Sequence, residues 1–197
     1  MPADGQDVEV RCHSRVSGGR APSERSLHTC TLQSSEGCRI AYLYGGRSRN
    51  GTALDDMHLL DLEANYWSSP KPKGEKPAGR FGHTAASHGE ELYFFGGRSK
   101  GRVTFNFQEV TGPTTSLFSD KERGQRESEA EVSDELLGFH TPSLEWREVS
   151  YQGTAPPPRY KHGCCLVPER QGNARMFIFG GAEEEYRALN DACEHLM

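Results

Sequence analysis

The chain is 197 residues long, with a net charge of −5 and 34% hydrophobic residues. It carries no basic footprint for nucleic acid, no apolar run that reaches the ~18 residues of a membrane span, and no apolar stretch after Met1 of the kind a secretory leader shows. The acidity is local: residues 109–135 hold eight acids and three bases, which accounts for the whole net charge.

In chain order, Asp7–Cys12 alternates in polarity and is expected to be the closing strand of a preceding unit, inside an N-terminal segment 1–21. A first unit over 22–76 gives strands Thr29–Leu32, Ile40–Tyr44, Met57–Asp61 and Tyr66–Ser69. A second over 77–155 gives Thr84–Ser87, Leu92–Phe95, Glu135–Phe139 and Glu145–Ser150. It contains a loop insert, 103–133, rich in Ser, Gly and Glu and expected to be disordered. A third, partial unit over 156–197 gives Gly163–Val167 and Met176–Phe179, and Leu189-Asn190-Asp191 opens its third strand. Aromatic and β-branched runs bounded by Gly, Ser and Asp dictate these assignments; no segment sustains a helical period.

The units repeat one another. Each begins with Arg-x-x-His: Arg25/His28, Arg80/His83 and Arg159/His162. Each then runs through an apolar strand into a paired glycine: Gly45-Gly46, Gly96-Gly97 and Gly180-Gly181. A Pro stands three residues before each Arg, and a Gly (Gly19, Gly74, Gly153) three before each Pro. Trp67 and Trp146 close the first two units, each thirteen residues before the next Arg. Self-similarity at this period marks a repeat architecture. Tyr42-Leu43-Tyr44 and Phe177-Ile178-Phe179 are apolar without alternation, as strands covered on both faces are. The glycines are expected to supply positive φ and close backbone approach. Cys30 and Cys164 fall where the middle unit has Ala85, so they are expected to be small buried strand residues. With no Cys-x-x-Cys, a zinc ribbon is not indicated. A reduced compartment, cytoplasmic or nuclear, is expected.

From about residue 7 onward the chain resembles the kelch-repeat family. The resemblance rests on the double glycine after an apolar strand, on Asp56 and Asp191 ahead of a third strand, and on the spacing of Trp67 and Trp146. It implies an all-β, kelch-type β-propeller of about two and a half four-stranded blades. Propellers close with about four to eight blades, so a partial propeller or fragment is implied.

The function implied is protein–protein interaction, as a scaffold or adaptor. In kelch adaptors of BTB-type ubiquitin ligases, loops after the double glycine line a peptide-binding face, and an acid-reading Arg follows the glycines. Arg47 stands there in this chain, and the candidate partner-binding set is Arg47, Arg49, Asn50, Arg98, Lys100 and Arg102. Guanidinium forks suit the carboxylates of an acidic peptide; the plainer reading is that these loop tips are only solvated. The repeat histidines occupy equivalent places in successive units, which suits a structural role better than a shared metal. No catalytic, cofactor or metal residue is assigned, and an enzyme is not expected. Copper galactose oxidases are built on kelch propellers, but their ligand set cannot be mapped here. Two alternatives stay open: a piece of a propeller enzyme whose active-site residues lie in other blades, and a truncated product with no role of its own.

Overall fold

The computed structural model describes residues 18–35, 37–99, 131–149, 155–169 and 173–196. Asp7–Cys12, Gly153, Lys100, Arg102 and residues 103–130 of the insert lie outside them. The described regular structure is strand throughout, apart from a 3-10 turn at Glu184–Tyr186.

Three antiparallel meanders follow one another along the chain. The first sheet runs Thr29–Ser35, Cys38–Tyr44, Met57–Asp61 and Tyr66–Ser68. The second runs Thr84–His88, Glu91–Phe95, Leu136–His140 and Glu145–Glu148. The third has Gly163–Pro168, Ala174–Phe179 and Ala192–Leu196. The first strands lie side by side, Thr29–Ser35 against Thr84–His88 and that against Gly163–Pro168. The sheets therefore fan out face to face, in the manner of propeller blades.

The faces between sheets are where the apolar side chains go. Between the first and second sheets Tyr42, Tyr44, Met57 and Leu59 pack against Leu92, Phe94, Phe139 and Trp146. Tyr44 centres this cluster, its ring 4.9 Å from Trp146 and 5.2 Å from Phe94. Between the second and third sheets the cluster is smaller: Phe95, Met176 and Ile178, flanked by Tyr93, Leu136, Cys164 and Leu166. Burying large aromatic and aliphatic side chains from water is the main drive for this stacking, at about 1.5–3 kcal/mol per fully buried side chain.

The segments entering the sheets are also fixed. Gly18–Gly19 pairs in parallel with Tyr66–Trp67. Lys73 takes the same place in the second unit, its N–H donating to Leu144 C=O at 2.8 Å while Trp146 N–H donates to Lys73 C=O at 3.0 Å. A Cβ on Gly19 would stand 2.0 Å from Trp67 C=O, and one on Gly74 would stand 2.6 Å from Trp146 C=O. At Gly19 and Gly74 the recurring Gly before Pro is thus a point where the chain passes too close for a side chain.

Four expectations need correction. The third strand of the third sheet starts after Asp191, at Ala192, and not at Leu189; the Leu189 N–H is already donated to Gly181 C=O at 2.9 Å. The insert does not reach Ser133: Glu131–Val132 pairs with Arg98–Ser99, and Val132 is buried. Cys30 is exposed, whereas Cys164 is half-buried with its thiol pushed up to about 11 by burial. Phe179 is not covered on both faces but 63% exposed. Cys30 and Phe179 share one cause: no described sheet lies against the outer faces of the first and third sheets.

Candidate functional site: the loops after the paired glycines

Each sheet is held by a buried guanidinium. Arg25 forks onto the Asp56 carboxylate at 2.6 and 2.9 Å and donates to Gly45 C=O at 3.0 Å. Arg159 does the same with Asp191, at 2.9 and 2.7 Å, and with Gly180 C=O at 3.1 Å. Arg80 meets Glu135 at 2.6 Å and Gly96 C=O at 3.3 Å. The acid ahead of the third strand is therefore Glu in the second unit, a substitution that hid it from a search for Asp. Burial raises the Asp56 pKa, but the hydrogen bonds from Arg25 and His58 outweigh it and hold the carboxyl at about 2. The bond from Arg159 holds Asp191 at about 2, against a smaller opposing effect of burial.

The paired glycines receive the next sheet. Gly45 and Gly46 have φ of 63° and 102°, Gly96 and Gly97 of 65° and 95°. This left-handed backbone turns the Gly46 N–H onto Arg80 C=O at 2.8 Å and the Gly97 N–H onto Arg159 C=O at 2.9 Å. A Cβ on Gly45 would stand 2.6 Å from Arg80 C=O, and one on Gly96 would stand 2.5 Å from Arg159 C=O. The repeat histidines complete the joints. His83 Nε2 shares a hydrogen bond with Thr29 Oγ1 at 2.9 Å, and His162 Nε2 with Thr84 Oγ1 at 2.8 Å. Burial, with the charge of Arg80 adding to it, pulls His83 down to about 3; burial and Arg159 pull His162 down to about 4. Both rings are neutral donors or acceptors within the fold. His28, with no described sheet before it, is exposed.

The candidate binding residues follow directly. Arg47 and Arg98 do not simply project into solvent. Each is half-buried and reaches the following sheet, Arg47 over the Phe81 ring at 5.7 Å and Arg98 over the Tyr160 ring at 5.2 Å. Phe81 and Tyr160 each follow a repeat arginine, so the two contacts are equivalent. Stacking of this kind contributes about 0.5–1 kcal/mol at exposed sites and more when desolvated. Sequence reasoning had no signal for it, because the ring belongs to the next unit. Arg49 and Asn50 are exposed on a tight turn whose Ser48 Oγ accepts from Thr52 N–H at 3.1 Å and contacts Asn50. With Ser23, Glu24 and Ser48 they line an open pocket of about 550 Å³. In the third sheet the position of Arg47 is taken by Ala182. Among the described residues no group of three or more His, Cys, Asp or Glu is placed to hold a metal ion.

A fan of face-packed sheets joined in this way is the β-propeller arrangement, and the Attractin/LZTR1 beta-propeller family model matches residues 41–195. The chain belongs to this family. It is 37% identical over 168 residues to acyl-CoA-binding domain-containing protein 4 of Arabidopsis thaliana, covering 85% of this chain and 20% of that protein. To kelch domain-containing protein 3 of Homo sapiens it is 24% identical over 165 residues, covering 80% and 34%. Among solved structures, that of YjhT superposes with a TM-score of 0.55 and 16% identity over 86% of this chain and 42% of that one; at that identity the likeness shows the fold alone. The chain spans at most about a third of the length of these two relatives.

Proposed function

We propose that this chain is a protein–protein interaction module that takes a partner segment at the loops following the paired glycines, and that the segment is acidic. The observation that carries this reading is the Arg49–Asn50 turn. It stands exposed beside an open pocket, on a backbone held by the Arg25–Asp56 clasp and the Gly46–Arg80 joint. Rigid scaffolds that present variable loops are well suited to recognition. That one relative is named for an acyl-CoA-binding domain and another for a kelch domain, with only part of each matched, supports a module reused beside other activities.

Arg49 is the discriminating residue, because Arg47 and Arg98 also hold the sheets together. Titration with a fluorescent Glu-rich peptide at low salt tests the reading. Arg49→Glu should weaken binding at least about tenfold, with an unchanged melting temperature, since exposed charges contribute only about 0–1 kcal/mol to folding. Binding should also weaken as salt approaches 0.5 M, through screening. An affinity untouched by both changes would remove this turn from the site.

A further inference from the structure

The turn that carries Arg49 also holds the pair Asn50-Gly51. The chain has five asparagines, and only Asn50 is followed by glycine. Counted from the paired glycines, the second unit has Gly101-Arg102 at these places and the third has Glu185-Tyr186. The pair is therefore confined to the turn proposed to take the partner.

The fold itself demands the glycine. Gly51 has φ of 86°, a left-handed backbone that residues with side chains rarely adopt. It brings the chain back on itself, with Gly51 N–H donating to Ser48 C=O at 3.0 Å and Ser48 N–H to Thr52 C=O at 3.0 Å. Glycine is also the residue that least hinders attack by its own backbone nitrogen on the amide of a preceding asparagine. Asn50 is exposed, so water reaches that amide. The attacking nitrogen is held back, since Gly51 is buried and its N–H is engaged. Ser48 adds to the restraint: its Oγ accepts from Thr52 N–H at 3.1 Å, and its hydroxyl donates to Asn50 Oδ1.

We propose that Asn50 is a self-modification site, latched by Ser48, whose product is a carboxylate that closes the pocket beside Arg49 to acidic segments. When the turn opens locally, the Gly51 nitrogen loses its proton to solvent base and bonds to Asn50 Cγ. The bond from Cγ to the amide nitrogen breaks, and that nitrogen leaves with a proton as ammonia. Water then opens the succinimide at either carbonyl, giving aspartate or isoaspartate. One water enters and one ammonia leaves, with nothing oxidised or reduced.

The consequence for binding rests on the proposed acidic-segment site. Asn50 and Arg49 line the same pocket as Glu24. A carboxylate at position 50 sets a second acid beside Arg49 and Glu24, and like charges facing a partner disfavour it. Isoaspartate also routes the main chain through an extra carbon, which displaces Gly51 N–H from Ser48 C=O.

The test is incubation of the 197-residue chain at about 37 °C and about pH 8.5, with peptide mapping by mass spectrometry for the gain of about one mass unit that amide loss leaves. Conversion should concentrate at Asn50, outpace Asn65, Asn173 and Asn190 at least about tenfold, and stop in Asn50→Gln, whose longer side chain closes such a ring poorly. Ser48→Ala should speed it at least about threefold, one restraint on the turn being gone. The converted fraction, separated by anion exchange, and the variant Asn50→Asp should each bind the fluorescent Glu-rich peptide at least about tenfold more weakly than fresh protein. An Asn50 that stays intact, or converts no faster than the other asparagines, overturns the inference. A rate that Ser48→Ala leaves unchanged overturns the latch, and converted protein that binds as well as fresh overturns the closure. Fresh protein that fails to bind the peptide strikes the acidic-segment reading instead, and the peptide map still decides the modification.

Discussion

Tyr44 and Phe95 each precede a paired glycine and are sealed between sheets, whereas Phe179 precedes the third pair and is largely exposed. The backbone does not share this difference. The third glycine pair holds the same left-handed angles as the other two, with no described sheet pressing on it. Conformation here belongs to the single unit, and burial belongs to the joint. A unit folds its own clasp of arginine, acid and glycine carbonyl, then waits for a neighbour to cover the aromatic beside it.

The largest effect that could break this comparison is at the tryptophans. Trp146 is buried against Tyr44, Phe94 and Phe139, while Trp67 is only half-buried on a face with no described sheet before it. Trp146→Ala should cost about 3–5 kcal/mol, and Trp67→Ala less than half of that, by urea denaturation monitored by circular dichroism. Equal losses would mean that burial is set within the sheet after all.

Next come the glycines. Gly45→Val and Gly96→Val push a β-branched side chain against a carbonyl of the following sheet and should cost about 2–4 kcal/mol. Gly180→Val meets only backbone strain, about 1–2 kcal/mol. Thermal melts of the three variants sharpen the contrast, and a Gly180→Val loss as large as the others would remove it.

The hydroxyl joints follow. Thr84→Val preserves shape but strands His162 Nε2, at a cost of about 1–3 kcal/mol. The same histidines set an acid limit. Their folded pKa values, about 3 for His83 and about 4 for His162, lie below the free value of 6.5. The unfolded chain therefore binds more protons between those limits, and stability, whole above about pH 6.5, falls as the pH drops towards 4. Asp56 and Asp191, held at about 2 against 3.8, withdraw their contribution only below about pH 4. The melting temperature should decline between pH 7 and 5, and His83→Gln should flatten that decline. A slope that begins only below pH 4 would contradict the neutral-histidine joint.

Arg98→Ala should cost less, about 0.5–2 kcal/mol from the lost stacking on Tyr160. Arg49→Ala, with no such ring beneath it, should be neutral within about 0.5 kcal/mol. Differential scanning calorimetry of the pair would separate them, and equal melting temperatures would show that Arg98 does not hold the joint.

Much of this was readable from spacing. The Arg-x-x-His, the paired glycines and the tryptophans recur because each sits at a contact that every unit must make, and most strands fall within a few residues of their expected bounds. What was not readable depends on a neighbour in space. Nothing local distinguishes Phe179 from Phe95, or Cys30 from Cys164; only the presence of a covering sheet does. Glu135 escaped because a longer acid reaches Arg80 as well as Asp reaches Arg25. The roles of Arg47 and Arg98 as bridges were hidden because Phe81 and Tyr160 lie one unit further along the chain.

The straps at Gly18–Gly19 and Lys73–Gly74 bear on how such a chain stays dispersed. The last strand of a sheet offers a row of backbone donors and acceptors that a foreign strand can extend. Here part of that row is taken by the chain itself, with Gly18–Gly19 along Tyr66–Trp67 and Lys73 along Leu144 and Trp146. The strap pairs in parallel and passes within side-chain distance of the tryptophan carbonyl, which is why glycine is needed there. A propeller whose rims are taped by their own linkers can leave its flat faces sticky for neighbours while denying its margins to amyloid-like growth.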